Sequence, residues 1–184
     1  IVAKEVLADA KLPENYDRDK IGITLGVGGG QKISQSLNAR LQYPVLKKVF
    51  NRSGISEQDS EMLIKKFQDQ YIHWEENSFP GSLGNVIAGR IANRFDLGGM
   101  NCVVDAACAG SLAALRMALS ELVDGRSEMM ITGGVCTDNS PTMYMSFSKT
   151  PAFTTNETIQ PFDIDSKGMM IGEGIGMVAL KRLE

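Results

Sequence analysis

Apolar positions recur along this chain with two different periods. Lys20 to Val27 (KIGITLGV), Asn101 to Asp105 (NCVVD), Glu128 to Val135 (EMMITGGV) and Ile175 to Leu180 (IGMVAL) are short apolar or β-branched runs. Such runs predict buried strands. Glycines close several of them, notably Gly28 to Gly30 after the first. Between the strands the period lengthens to that of a helix. Ser56 is placed to cap a helix running to about Trp74, with Leu63, Phe67, Tyr71 and Trp74 on one face and Lys65, Lys66, Gln68 and Asp69 elsewhere. A second helix is expected from Gly84 to Phe95. It aligns Ile87, Ile91 and Phe95, keeps Ala88 and Ala92 small for close approach, and turns Arg90 and Arg94 outward. A third, Ser111 to Val123, is expected to bury Leu112, Leu115, Leu119 and Leu122, to expose Arg116, Ser120 and Asp124, and to stop at Gly125. Ile1 to Leu12 has helical composition without a preceding cap, as though the chain starts inside a helix. Gln31 to Gly54 shows no clean period and is broken at Pro44 and Gly54, while Cys136 to Pro151 reads as a loop-rich lining. Strands alternating with helices predict an α/β layered fold.

Composition narrows the function classes. With 184 residues, 43% hydrophobic and 22% charged, the chain is expected to form one domain burying roughly 70% of its unfolded surface. A net charge of −3 leaves no basic footprint, so nucleic acid is not an expected partner. No apolar run approaches the roughly 20 residues needed to cross a bilayer, and no basic region followed by an apolar signal segment opens the chain; a cytoplasmic protein is expected. Cys102, Cys108 and Cys136 are an odd set without a CxxC pair, which fits a reducing compartment better than a disulfide framework or a structural zinc site. His73 is the single histidine and reads as a surface or boundary residue near a helix end. An imidazole-rich metal site cannot be built from one such residue, so no metal is expected.

Cys108 is the candidate for chemistry. It lies in NCVVDAACAGSLAALRMALSELVDG, where a strand ends in a turn of tiny residues that runs straight into a helix. A thiol at a helix start faces unpaired N–H groups and the positive end of the dipole, which favours thiolate. The same residue also fits a tight core as a small apolar side chain. Small-Cys-small between strand and helix matches a nucleophile elbow as well, so a cysteine hydrolase of α/β-hydrolase type is an alternative. That fold places its histidine after the nucleophile, and no histidine follows Cys108. Other motifs fail on context. Gly172, Gly174 and Gly176 precede a strand rather than a helix, Gly28 to Gly30 lack the lysine and hydroxyl of a P-loop, and Asp163, Asp165 and Gly168 have Lys167 and a misplaced Glu173 where a calcium loop needs ligands.

Three ordered motifs carry a resemblance. DAACAGSLAA around Cys108, GNVIAGRIANRFDL at Gly84 to Leu97 and PFDIDSKGMMIGEGIGMVALKRLE at Pro161 to Glu184 together resemble the β-ketoacyl synthases of the thiolase fold. Ala-Ala-Cys-Ala-Gly at the nucleophile, with TDNSPTMYMSFSKTPAFTTNETIQPFD, looks like the ketosynthase of bacterial polyunsaturated fatty acid synthases, which are large iterative multienzymes akin to polyketide synthases. The resemblance implies an α/β, thiolase-like fold, of which residues 1–184 are the N-terminal half of a layered αβαβα architecture, truncated at both ends. It implies that Cys108 accepts an acyl chain from the phosphopantetheine arm of acyl carrier protein, with no cofactor bound directly, and that malonyl carrier protein then decarboxylates and condenses with it. The Cys108 N–H is implied as one oxyanion donor. The second donor and two histidines belong to the family's C-terminal half, so the active site in this chain is expected to be incomplete. Phe147 is implied as a substrate-binding residue lining the acyl pocket, with Phe153 and Met145 as further candidates. A homodimer pairing Asn101 to Asp105 across a two-fold is expected, within a larger multienzyme. A thiolase-fold partner lacking the nucleophile is disfavoured by the presence of Cys108.

Overall fold

The first strand, β1 (Ile21–Val27), is buried at all seven positions, and the sheet is built outward from it. A computed structural model describes residues 1–13, 15–28 and 33–183. In chain order the helices are α1 (Val2–Asp9), α2 (Ser34–Leu41), α3 (Tyr43–Arg52), α4 (Glu57–Gln68), α5 (Ser78–Ser82), α6 (Val86–Phe95), α7 (Gly110–Val123) and α8 (Pro141–Ser148). The remaining strands are β2 (Asn101–Val104), β3 (Met129–Cys136) and β4 (Gly174–Lys181). The chain divides into two compact units, one of Ile1–Gly28 with Ala88–Glu184 and one of Gly29–Ile87.

The first unit holds the sheet, in the order β2-β1-β3-β4. β2 and β3 run parallel to β1, and β4 runs antiparallel to β3. Register puts Gly22, Thr24 and Gly26 of β1 opposite Met130, Thr132 and Gly134 of β3, so these six share one face. α7 lies on that face. The Thr24 hydroxyl donates to the Ala114 carbonyl at 3.0 Å, and Ala118 and Leu122 pack on Met130 with Met100 and Leu180 beside them.

The inner surface of α7 differs from the leucine stripe expected of it. Gly110, Ala114, Ala118, Glu121 and Leu122 are buried, whereas Leu112 is 68% exposed and Leu119 41%. Close approach is the cause. A Cβ at Gly26 would collide with the Gly110 backbone, and one at Gly134 would lie 2.8 Å from the Ser111 Cβ, so only small residues fit where the helix meets the glycine-bearing sheet. β2 is also less buried than expected, because it has a single neighbour and forms an edge.

The second unit corrects other readings. Pro44 does not break a helix but occupies the first turn of α3, where its missing N–H has no partner to lose. Ser56 caps α4 by accepting from the Asp59 N–H at 3.1 Å, yet the helix ends at Gln68 and buries Ser60 and Ile64 rather than the stripe through Leu63 and Phe67. His73 is exposed beyond the end of this helix. Lys47 ties α3 to α4 through Glu61 at 2.7 Å and Glu57 at 3.2 Å, and the Glu61 hydrogen bond holds the Lys47 ammonium above its ordinary pKa.

Cys136 to Pro151, expected as loop, contains α8. Ser140 caps it by accepting from the Met143 N–H, and Pro141 begins it. Of the glycine turn expected after β1, Gly29 and Gly30 lie outside the described residues. No described helix is long and apolar enough to cross a membrane.

Candidate active site

β2 delivers the chain to the elbow that carries Cys108. After Val104 the backbone turns through Asp105 and Ala106 into a 3₁₀ turn, Ala107–Ala109, which passes without interruption into α7. Ala107 has φ of 47°, in the left-handed region that costs a residue with a Cβ of order 1–2 kcal/mol. The strain is held by local contacts. The Ala107 N–H donates to Asp105 Oδ1 at 3.0 Å, an Asx turn in which a carboxylate accepts from the backbone two residues on. A Cβ on Gly28 would lie 2.9 Å from that same oxygen and 3.6 Å from the Ala107 Cα, so a side chain there would crowd the turn.

The thiol stands free in this arrangement. Cys108 is exposed, one residue past the strained alanine and just ahead of the first turn of α7, which contains no acidic residue. The Ala109 N–H donates to the Ala106 carbonyl, the Gly110 N–H to that of Ala107, and the Ala107 N–H to Asp105. The Cys108 N–H has no acceptor among the described residues. A thiol and a free N–H on one residue, at the positive end of a 14-residue helix, suit attack on a carbonyl followed by stabilisation of the resulting oxyanion.

The other cysteines sit differently. Cys102 is half-buried on β2 opposite Thr24, and burial, with a smaller contribution from the Glu121 charge, raises its pKa. Cys136 is exposed at the far end of β3.

Phe147, Phe153 and Tyr144 come together. Phe147 is half-buried on α8 with its ring 6.2 Å from that of Phe153, and Tyr144 stacks on Phe153 at 5.6 Å. Phe153 is fixed by a bridge to Met169, whose N–H donates to the Ala152 carbonyl at 2.9 Å while its carbonyl accepts from the Thr154 N–H at 3.0 Å. Met145, on the same helix, is 67% exposed and takes no part in the ring cluster. The residues missed from the sequence are Asp105, Gly28 and Tyr144. Asp105 had a signal, an aspartate placed to accept from the second residue on at a strand end. Gly28 had none, since its contact is with the distant Asp105, and Tyr144 had none, since it meets Phe153 across a loop with no periodicity.

Among the described residues no group of three histidine, cysteine, aspartate or glutamate side chains could hold a metal ion. Asp163, in the calcium-like stretch, uses Oδ1 to accept from the Asp165 N–H at 2.8 Å.

Known proteins resemble this chain in sequence and in fold. The family model for the β-ketoacyl synthase N-terminal domain matches residues 1–184. One of the polypeptides of a polyunsaturated fatty acid synthase from Thraustochytrium sp. is 49% identical over 180 residues, 97% of this chain and 6% of that protein. A spectinabilin polyketide synthase system protein from Streptomyces orinoci is 33% identical over 130 residues, 71% of this chain and again 6% of the relative. The chain thus spans a small part of both. Two solved structures share the fold at 22% identity: the ketosynthase from module 6 of the Bacillus subtilis bacillaene synthase, with a TM-score of 0.59 over 91% of this chain and 23% of that one, and the Streptomyces albus oxazolomycin ketosynthase, with 0.62 over 88% and 23%.

Proposed function

The chain belongs to the β-ketoacyl synthase family, and on that premise we propose that it carries the nucleophile for decarboxylative Claisen condensation in the chain elongation of a polyunsaturated fatty acid or polyketide. The observation that carries this reading is Cys108, exposed at the start of α7 beside its own free N–H. The Cys108 thiolate attacks the carbonyl carbon of an acyl thioester on the phosphopantetheine arm of acyl carrier protein. The Cys108 N–H donates to the oxyanion, and the pantetheine thiolate leaves and takes up a proton. A malonyl thioester then loses carbon dioxide, its enolate carbon attacks the acyl carbon, and the Cys108 thiolate is expelled as the β-ketoacyl thioester forms. Holding the acyl group on the protein makes the carbon–carbon step a positioned one.

Phe147, backed by Phe153, lines the acyl pocket in this reading. The sequence holds one histidine, His73, so residues 1–184 do not themselves supply a pair of imidazoles for decarboxylation and the enolate. The edge of β2 supplies the homodimer contact, pairing with its mate across a two-fold and covering backbone groups that an edge strand leaves open. A structure of the natural polypeptide with β2 remote from any two-fold axis removes that contact. A cysteine hydrolase gains nothing from the relatives described above, none of which is named as a hydrolase.

The test is product formation. The natural full-length polypeptide, given acyl and malonyl carrier protein, is expected to release carbon dioxide and a β-ketoacyl thioester in equal amounts. Release of free fatty acid without condensation would instead assign Cys108 to hydrolysis.

A further inference from the structure

We propose that Asp105 is a positioning residue for Cys108, and that it acts by geometry rather than by charge. The inference rests on the reading of Cys108 as the acylated nucleophile. Asp105 Oδ1 accepts from the Ala107 N–H at 3.0 Å. It thereby takes up the N–H next to that of Cys108 and pins Ala107 at φ 47°. Without this bond Ala107 has every reason to relax to negative φ, since the left-handed region is unfavourable for a residue with a Cβ. That rotation immediately precedes Cys108 and would swing both its N–H and its Sγ.

Gly28 makes room for this contact. The space for a Cβ on Gly28 is already taken by Asp105 Oδ1 at 2.9 Å. The carboxylate oxygen therefore sits beside the end of β1, where only a glycine leaves it room, while Asp105 itself is exposed. An amide oxygen of the same reach can replace it, because it accepts the same hydrogen bond. A glutamate cannot, although it keeps the charge, because its extra methylene moves the oxygen out of the two-residue Asx-turn geometry.

The experiment measures the rate at which Cys108 in the natural full-length polypeptide is acylated by an acyl-pantetheine thioester, with the site mapped by peptide mass spectrometry and folding followed by thermal melting. D105N is expected within about threefold of the unmodified protein. D105A and D105E are expected at least tenfold slower, about 1.4 kcal/mol in the barrier, with saturation by the thioester unchanged. Adding A107G to D105E should bring the rate back to within threefold of A107G alone, because glycine adopts positive φ without strain. Should D105A fail to fold, D105N against D105E decides the matter. Loss of rate in D105N with retention in D105E, or equal rates in all variants, overturns the proposal. Acyl transfer that persists unchanged in Cys108→Ala overturns the nucleophile reading instead, which keeps the two failures distinct.

Discussion

Three cysteines of one chain are expected to differ sharply in reactivity, and their surroundings decide the order. Cys108 and Cys136 are exposed, while Cys102 is half-buried with its pKa raised by burial and then by Glu121. The sign is clear: a raised pKa leaves less thiolate at neutral pH, and thiolate is the reacting form. Cys102 should therefore be the last of the three to take iodoacetamide between pH 7 and 8, and its share should grow as the pH rises towards its pKa. Alkylation at or before the other two would contradict the packing of β2 under α7. Cys108 was legible in the sequence because a strand, a turn of tiny residues and a helix follow one another without a gap. Gly28 was not, since what makes it necessary is an oxygen 77 positions away at Asp105.

Among the elements, α7 teaches most. Its extent was legible, with Ser111 to Val123 expected and Gly110–Val123 found. Its buried face was not. Leucines at helical spacing form an apolar stripe by periodicity alone, but the sheet beneath carries Gly26 and Gly134, and the helix sinks onto them with its glycine and alanines. Ala114→Leu should consequently cost about 1–3 kcal/mol or more, since Ala114 is fully buried and its carbonyl already accepts from Thr24. Leu112→Ala, at a position 68% exposed, should cost much less. Chemical denaturation of both variants checks the order, and the reverse order would restore the leucine face. Shorter helices escaped the periodicity reading for another reason. α8 and α2 have eight residues each, too few turns to establish a stripe, and only the Ser140-Pro141 pair marked where α8 begins.

At the scale of the whole molecule, the apolar surface left open is informative. Leu112, Leu119 and Val123 of α7 are exposed together with Ile175 and Val178 of β4, and a groove of about 610 Å³ between α1 and β4 is lined by Val2, Val6, Met129, Ile175 and Met177. A protein consisting of these 184 residues alone is expected to associate through such surfaces and not to condense. Acid–base groups contribute about 10²–10⁴-fold and an oxyanion donor a further ~10²–10³, and His73 is the only imidazole to hand. Efficient turnover by residues 1–184, abolished by His73→Ala, would relocate the catalytic apparatus to the second unit. The layered α/β class was legible from alternation and the family from three ordered motifs, and both rest on local sequence. The sheet order was not, because parallel partners such as Ile21 and Met129 are brought together over a hundred residues apart.

Where the acyl group goes is the most direct test of Cys108 as the nucleophile. The natural full-length polypeptide is incubated with a short-chain acyl carrier protein, digested without reductant, and its cysteine peptides are analysed by mass spectrometry. One thioester adduct is expected, on the peptide containing Cys108, and none in Cys108→Ala. An adduct on Cys102 or Cys136, or undiminished acyl transfer in Cys108→Ala, would contradict that role.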